Sequence, residues 1–268
     1  LSVAGTANCY VVSAPGTYVF NARVRGNGAG EGVGFEPAIE MADGMTADWL
    51  WTDSEGLVSG VALDTTSGDI FLTVGEGRGN ALVALMQDGK VVWSWHVWVT
   101  DAPQTMTYGN GTVFMDRNLG AAGTTAGGTD AYGMYYQWGR KDPFSNATTV
   151  YGPEGNTLDM HSWPSCEGYT IDPVWNAQIG RKSGDYLYNG TVEFTLSHPA
   201  TYISYADEKD ISNPNQTWLR SDVPGHQNDR LWGTYFEKEA VGAATVLLSK
   251  SAFDPCPAGY RIPLIAPL

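Results

Sequence analysis

A mainly β protein is what the sequence predicts, and three observations carry that expectation. Only 16% of residues are charged, against about 25% in typical globular chains, and coiled coils or helical bundles would need far more Lys, Glu, Leu and Ala. Glycine is abundant, at 33 of 268 residues, and supplies positive-φ turns. The 10 Trp and 14 Tyr suit pleated, half-buried surfaces. At roughly 150 residues per domain, the length leads to an expectation of two domains.

The first domain is expected over residues 1–103 as an Ig-like β-sandwich. Asn8–Val12 and Thr17–Arg25 read as strands, and Ala14-Pro15-Gly16 between them predicts a hairpin. Glycine occupies every second position from Gly26 to Gly34, but the GxGxxG spacing is absent and Glu31 would repel a phosphate. That segment reads as a loop, as does Gly75–Gly79. Strands follow at Asp48–Trp51, Leu57–Leu63, Asp69–Val74, Asn80–Met86 and Lys90–Thr100. The last two flank Asp88-Gly89, a dipeptide favoured in type I′ hairpin turns. In the closing strand Trp93, Trp95, Val97 and Val99 share one face, which is core. Val92, Ser94, His96 and Trp98 share the other, a half-covered packing surface or a ligand surface. About seven strands spaced some ten residues apart fit a sandwich.

Asp101-Ala102-Pro103-Gln104 breaks the pattern and places the second domain over residues 104–268. It opens with a strand at Thr112–Asn118. A short helix is expected over Ala131–Trp138, capped by Asp130 and ended by Gly139. Tyr132, Tyr135 and Tyr136 would then form a core-facing stripe, and Arg140-Lys141-Asp142 would suit the helix's negative end. From Ser145 to Asp254 the chain is dominated by Gly, Pro, Asn, Asp and Ser, so its loops must pack on each other or serve function.

Charge narrows the function classes. Fifteen basic against 29 acidic residues leave a net charge of -14, which disfavours nucleic acid and anionic lipid as partners. No apolar run approaches the ~20 residues of a membrane helix. The chain starts without Met, which is expected of a processed start. GxSxG, P-loop, HExxH and CxxC signatures are absent, and His96, His161, His198 and His226 lack metal-ligand spacing, so no enzyme is expected. The three cysteines allow at most one internal disulfide. Cys166 with Cys256 is the candidate pair, and three small buried thiols are the alternative.

Three segments carry a family resemblance: FMDRNLGA at 114–121, YGMYYQWGRKDPF at 132–144 and FDPCPAGYRIP at 253–263. HPATY at 198–202 and NDRLWG at 228–233 fall between them in the same order. Together, over about residues 105–263, they resemble the Fibrobacter succinogenes major paralogous domain, a module of bacterial surface and secreted proteins similar to C-type lectin-like folds. TANCYVV at 6–12 and WSWHVW at 93–98 resemble the β-sandwich that precedes this module in surface proteins of gut Bacteroidetes, which are grouped with fimbrillin-like or pilus-tip proteins. The resemblance implies a compact mixed α/β second domain that displays loops. It also implies a cell-surface or extracellular location, outer-membrane anchoring through a removed N-terminal region, and adhesion to an extracellular glycan or protein. Other fimbrial subunits are alternative partners, in a structural subunit without ligand, and a glycan-active enzyme is a third reading. The family continues beyond the motif matched at 253–263 with further strands, so the resemblance implies that this second domain is truncated or altered, or completed by a partner strand.

Candidate ligand-binding residues are Trp163, Trp175 and Trp218, placed for stacking on sugars or for pinning loops, together with Asp222, Asn228 and Asp229. Calcium is the more credible ion, because it takes hard oxygen ligands such as the 207–229 loop offers, with Asp207, Asp210 and Asn213 as candidate ligands. A solvated polar loop explains the same residues. Asp116-Arg117-Asn118 reads as structural, with Arg117 pairing to a buried carboxylate.

Overall fold

The computed structural model describes residues 1–28, 36–147, 149–153, 157–159, 176–177, 191–203, 218–219, 231–233, 235–236, 246–247 and 250–263. Among the described residues of the first hundred there are seven strands: β1 (Cys9–Val12), β2 (Gly16–Asn21), β3 (Met45–Thr52), β4 (Val58–Asp64), β5 (Asp69–Val74), β6 (Gly79–Gln87) and β7 (Lys90–Val99). They are followed by β8 (Thr105–Thr107), β9 (Val113–Met115), β10 (Thr149–Tyr151) and β11 (Thr157–Asp159). A helix α1 (Val192–Ser197) and two-residue strands complete the described elements. The protein is mainly β, as expected.

One sheet runs β1-β7-β6-β3-β10-β11 and a second runs β2-β5-β4. Alternation along the strands sends Phe20, Ile70 and Leu72 from the smaller sheet, and Tyr10, Val83, Trp93, Trp95 and Val97 from the larger, into one buried apolar cluster. Burial of this cluster removes the largest apolar area from water and holds the two sheets together. Asp88 and Gly89 have φ of 51° and 74°, as the tight β6–β7 turn requires.

The expected hairpin between the first two strands does not form. β1 pairs in parallel with β7, Cys9 opposite His96 and Val12 opposite Val99, while β2 pairs antiparallel with β5. Ala14-Pro15-Gly16 is a crossing between layers, because Tyr10 and Phe20 meet at 4.9 Å across the core only if their strands lie in different sheets.

The expected helix at 131–138 is also absent. Only a single 3-10 turn forms, at Thr129–Ala131. The backbone donors that a helix would satisfy internally go elsewhere: Met134 N–H to Leu119 O at 2.9 Å and Tyr135 N–H to Phe144 O at 2.9 Å. Gly133 permits this, since a Cβ there would lie 2.5 Å from Leu119 O. As a result Tyr132 and Tyr135 are exposed rather than core, and Arg140, Lys141 and Asp142 cap no helix but are buried.

Residues beyond 104 extend the larger sheet and cover its second face. Tyr151 of β10 pairs with Thr52 of β3. Phe144 and Val150 pack there with Trp51 and Leu82, whereas Phe253 lies 5.9 Å from Trp93 and packs against the apolar core. α1 starts at Thr191, whose side-chain oxygen accepts from Phe194 N–H at 3.2 Å.

Candidate functional site

Two places concentrate chemistry-bearing side chains: the covered face of the larger sheet, and an open groove beside β8 and β9.

On the covered face, Ser94 and His96 of β7 point away from the apolar core and are buried. Asn80 spends its Nδ2 on Asp53 Oδ2 at 2.7 Å and Gly120 O at 3.0 Å, which leaves Oδ1 to accept from His96 Nε2 at 2.8 Å. That bond places the imidazole proton on Nε2, and Nδ1 accepts from the Tyr136 hydroxyl at 3.2 Å. Burial lowers the His96 pKa to about 3, so the ring is neutral. One pair of strand positions away, Ser94 Oγ donates to Asp142 Oδ1 at 2.6 Å, and Lys141 Nζ donates to Ser94 Oγ at 2.6 Å and Ser94 O at 3.1 Å. Burial pushes the Lys141 pKa down while Asp142 opposes the shift.

A serine beside a lysine of lowered pKa has the makings of a nucleophile and base. Here, however, Ser94 and Lys141 are buried, and neither described cavity is lined by Ser94, Lys141 or Asp142. The cluster ties β7 to residues 141 and 142. Arg140 does the same for residues 198–201. Its Nη1 donates to Gln137 Oε1 at 2.8 Å and Thr201 O at 2.6 Å, and its Nη2 to Pro199 O at 3.1 Å.

The groove has the opposite character. β8 and β9 pair antiparallel, with Met106 opposite Phe114, and Gly111 at φ 83° closes the turn. This hairpin and residues 256–263 enclose an open cavity of about 890 Å³. Tyr108 is 52% exposed and stands edge-on to Phe114, centroids 5.6 Å apart. Arg117 also lines the cavity, with its side chain only 3% exposed and its guanidinium locked. It donates to Asp116 Oδ1 and Oδ2 at 2.9 and 3.0 Å, and to Asp101 Oδ2 at 2.9 Å. Hydrogen bonds from Arg117 hold the Asp101 pKa down at about 2 and lower that of Asp116. The expected partner, a buried carboxylate, is corrected to these two, of which the Asp101 side chain is 51% exposed.

Asn118 and Leu119 continue into a second depression of about 500 Å³, bordered by Tyr132, Tyr135 and Asn146. Tyr132 is 58% exposed and Tyr135 43%. Asn118 Nδ2 donates to Ala131 O at 3.3 Å and Asn146 Nδ2 to Gly133 O at 3.2 Å. Each amide is thereby fixed, with its Oδ1 unpartnered among the described residues.

Of the sequence-predicted site residues, only Trp218 is described. It is buried, and its Nε1 donates to Trp138 O at 2.7 Å, so it pins a loop and presents no stacking face. Trp163, Trp175, Asp222, Asn228 and Asp229, and the calcium candidates Asp207, Asp210 and Asn213, lie outside the described residues. Among the described residues no His, Cys, Asp or Glu cluster could hold a metal. Cys9 and Cys256 are free buried thiols, as the buried-thiol alternative has it. Cys166 itself lies outside the described residues. The groove tyrosines were missed because the helical spacing at 132–136 assigned them to a core. The available signal was Gly133, a helix-weakening residue between them. Comparisons with protein families, curated proteins and solved structures return no match.

Proposed function

We propose that this chain is a non-catalytic recognition protein of a bacterial cell surface, with an extracellular glycan as its ligand. One observation carries the reading. The two depressions share Asn118 and Leu119 in their linings, and exposed Tyr108 lines one while exposed Tyr132 and Tyr135 line the other. Tyrosine offers an apolar ring face for a sugar and a hydroxyl at its wet edge. The fixed Asn118 and Asn146 amides between and beside the rings offer oxygens to sugar hydroxyls. Because the hairpin floor is locked by Arg117, little ordering would be lost on binding.

In this reading residues 1–103 are an Ig-like mount and residues 104–268 a C-type lectin-like module, and the resemblance at 114–121, 132–144 and 253–263 supports both the layout and the surface location. The test is a glycan array probed with the full chain and with a Tyr132→Ala/Tyr135→Ala variant. Saturable binding by the parent, weakened at least tenfold in the variant, is expected. Absence of binding by the parent, or equal binding by both, overturns the glycan reading.

A second reading is favoured by β8 and β9, a two-stranded sheet with three exposed residues in β8. An uncovered short sheet can accept a strand from a neighbouring subunit, as a structural pilus component would. Concentration-dependent polymerisation without glycan binding would support it.

A further inference from the structure

Cys9 opens β1, and its backbone bridges in parallel to Pro257, the residue after Cys256. Asn8 ties the start of β1 to this segment, while Lys250 and Asp254 shape the segment itself. Asn8 Nδ2 donates to Ala252 O at 2.6 Å and to Asp254 O at 2.9 Å. Lys250 Nζ donates to Pro257 O at 2.9 Å and Tyr260 O at 2.8 Å, and Asp254 Oδ1 accepts from Cys256 N–H at 2.8 Å. Further along, Gly5 approaches so closely that a Cβ there would lie 2.8 Å from Ala258 Cβ. With strands about 4.8 Å apart and a rise of about 3.3 Å per residue, a residue diagonal to its neighbour has a Cα separation of roughly 5–6 Å. An offset of that size falls inside the range of about 4.4–6.8 Å that disulfides occupy, and because neighbouring positions of a regular strand face opposite ways the bond also needs the Cys256 side chain turned toward Cys9, which the electrostatic influence of Cys9 on Cys256, and of both on Tyr136, supports. Both thiols are free and buried, at 0% and 3% exposure.

We infer that Cys9 and Cys256 form the disulfide of this protein when it folds in contact with a small-molecule disulfide. The Cys9 and Cys256 thiols each lose a hydrogen, and one bond forms between their sulfurs. The sulfur–sulfur bond of glutathione disulfide breaks to give two glutathione thiols, so the protein is oxidised by two electrons and the small disulfide reduced by two. Exchange belongs to the folding stage. In the folded chain burial pushes both thiols far up, which removes the thiolate that exchange requires. The bond would tie the first strand of the larger sheet to the segment that walls the groove, closing a long loop from residue 9 to residue 256 and restricting the unfolded state accordingly.

The test is to refold the full chain in reduced and oxidised glutathione, alkylate it under denaturing conditions and map the peptides. Expected are a cross-linked peptide pair holding Cys9 and Cys256, and alkylation at Cys166 alone. In a Cys166→Ser variant no thiol should react until a reductant is added. Three alkylated cysteines in the parent, a cross-link that includes Cys166, or a reactive Cys9 or Cys256 in the variant would overturn the inference.

Discussion

The two faces of the six-stranded sheet are both buried but are held by different physics. Toward β2, β4 and β5 the contacts are apolar, and Trp95, one of the largest buried side chains, makes no hydrogen bond from its Nε1. Toward residues 120–142 the same strands present Ser94, His96 and Asn80, each with a specified partner. The apolar face depends on area and volume. The polar face depends on geometry, because every buried donor, acceptor or charge must be matched or it penalises folding.

Single substitutions should separate the two, and the largest effects come from the deepest groups. Trp95→Ala should cost about 3–5 kcal/mol in urea unfolding through lost area and a residual cavity. Asp142→Ala should cost about 3–5 kcal/mol as well, because it strands the Lys141 ammonium in the interior. The distinguishing variant is the double Lys141→Met/Asp142→Leu, which should regain most of that loss, since no charge is left unpaired. A double variant as unstable as Asp142→Ala would contradict the matched-pair account.

On the polar face acid should act through His96. The His96 pKa is about 3 in the fold against 6.5 for an ordinary imidazole, so between those values the unfolded chain binds the extra proton. The contribution of neutral His96 is complete above about pH 6.5 and is lost as pH falls toward 3, by up to about 1.4 kcal/mol per pH unit. Unfolding curves from pH 7 to 4.5 should be less pH-dependent in His96→Gln than in the parent, and parallel profiles would rule this out.

Smaller effects are expected where water reaches the groups. Asp101→Asn should cost less than about 1 kcal/mol, because the carboxylate is half exposed and Arg117 retains Asp116. Tyr132→Ala should change stability by less than about 0.5 kcal/mol, as an exposed side chain would and a core one would not. A loss of several kcal/mol on thermal or urea unfolding would restore the tyrosine to a core.

The error at 131–138 and the success at 90–99 have one cause between them. Alternation in β7 is local, and a strand that pairs on both edges has no competing use for its backbone, so Trp93, Trp95 and Val97 could be placed in the core from spacing alone. At 132–136 the i, i+3, i+4 spacing of tyrosines fits a helix equally well, but the hydrogen-bond partners that decided the backbone, Leu119 and Phe144, are not neighbours in sequence. The Asp88-Gly89 hairpin was legible for the same reason as β7, whereas Ala14-Pro15-Gly16 was not: a turn specifies a reversal of direction and not which sheet the next strand enters. Of the candidate site, the sequence marked Asp116-Arg117-Asn118 as structural but could not show that Arg117 lines a groove.

By itself, then, the sequence determined the β-rich class, most strand positions in the first hundred residues, the type I′ hairpin and the two-faced character of β7, all of which follow from composition and short-range spacing. The tertiary structure alone decided that β1 runs parallel to β7, that Lys141 and Asp142 meet Ser94 under the sheet, that Cys9 lies beside Pro257, and that Tyr132 and Tyr135 face solvent. Each of these depends on contacts between residues far apart in the chain, where hydrogen-bond satisfaction and packing override local propensity.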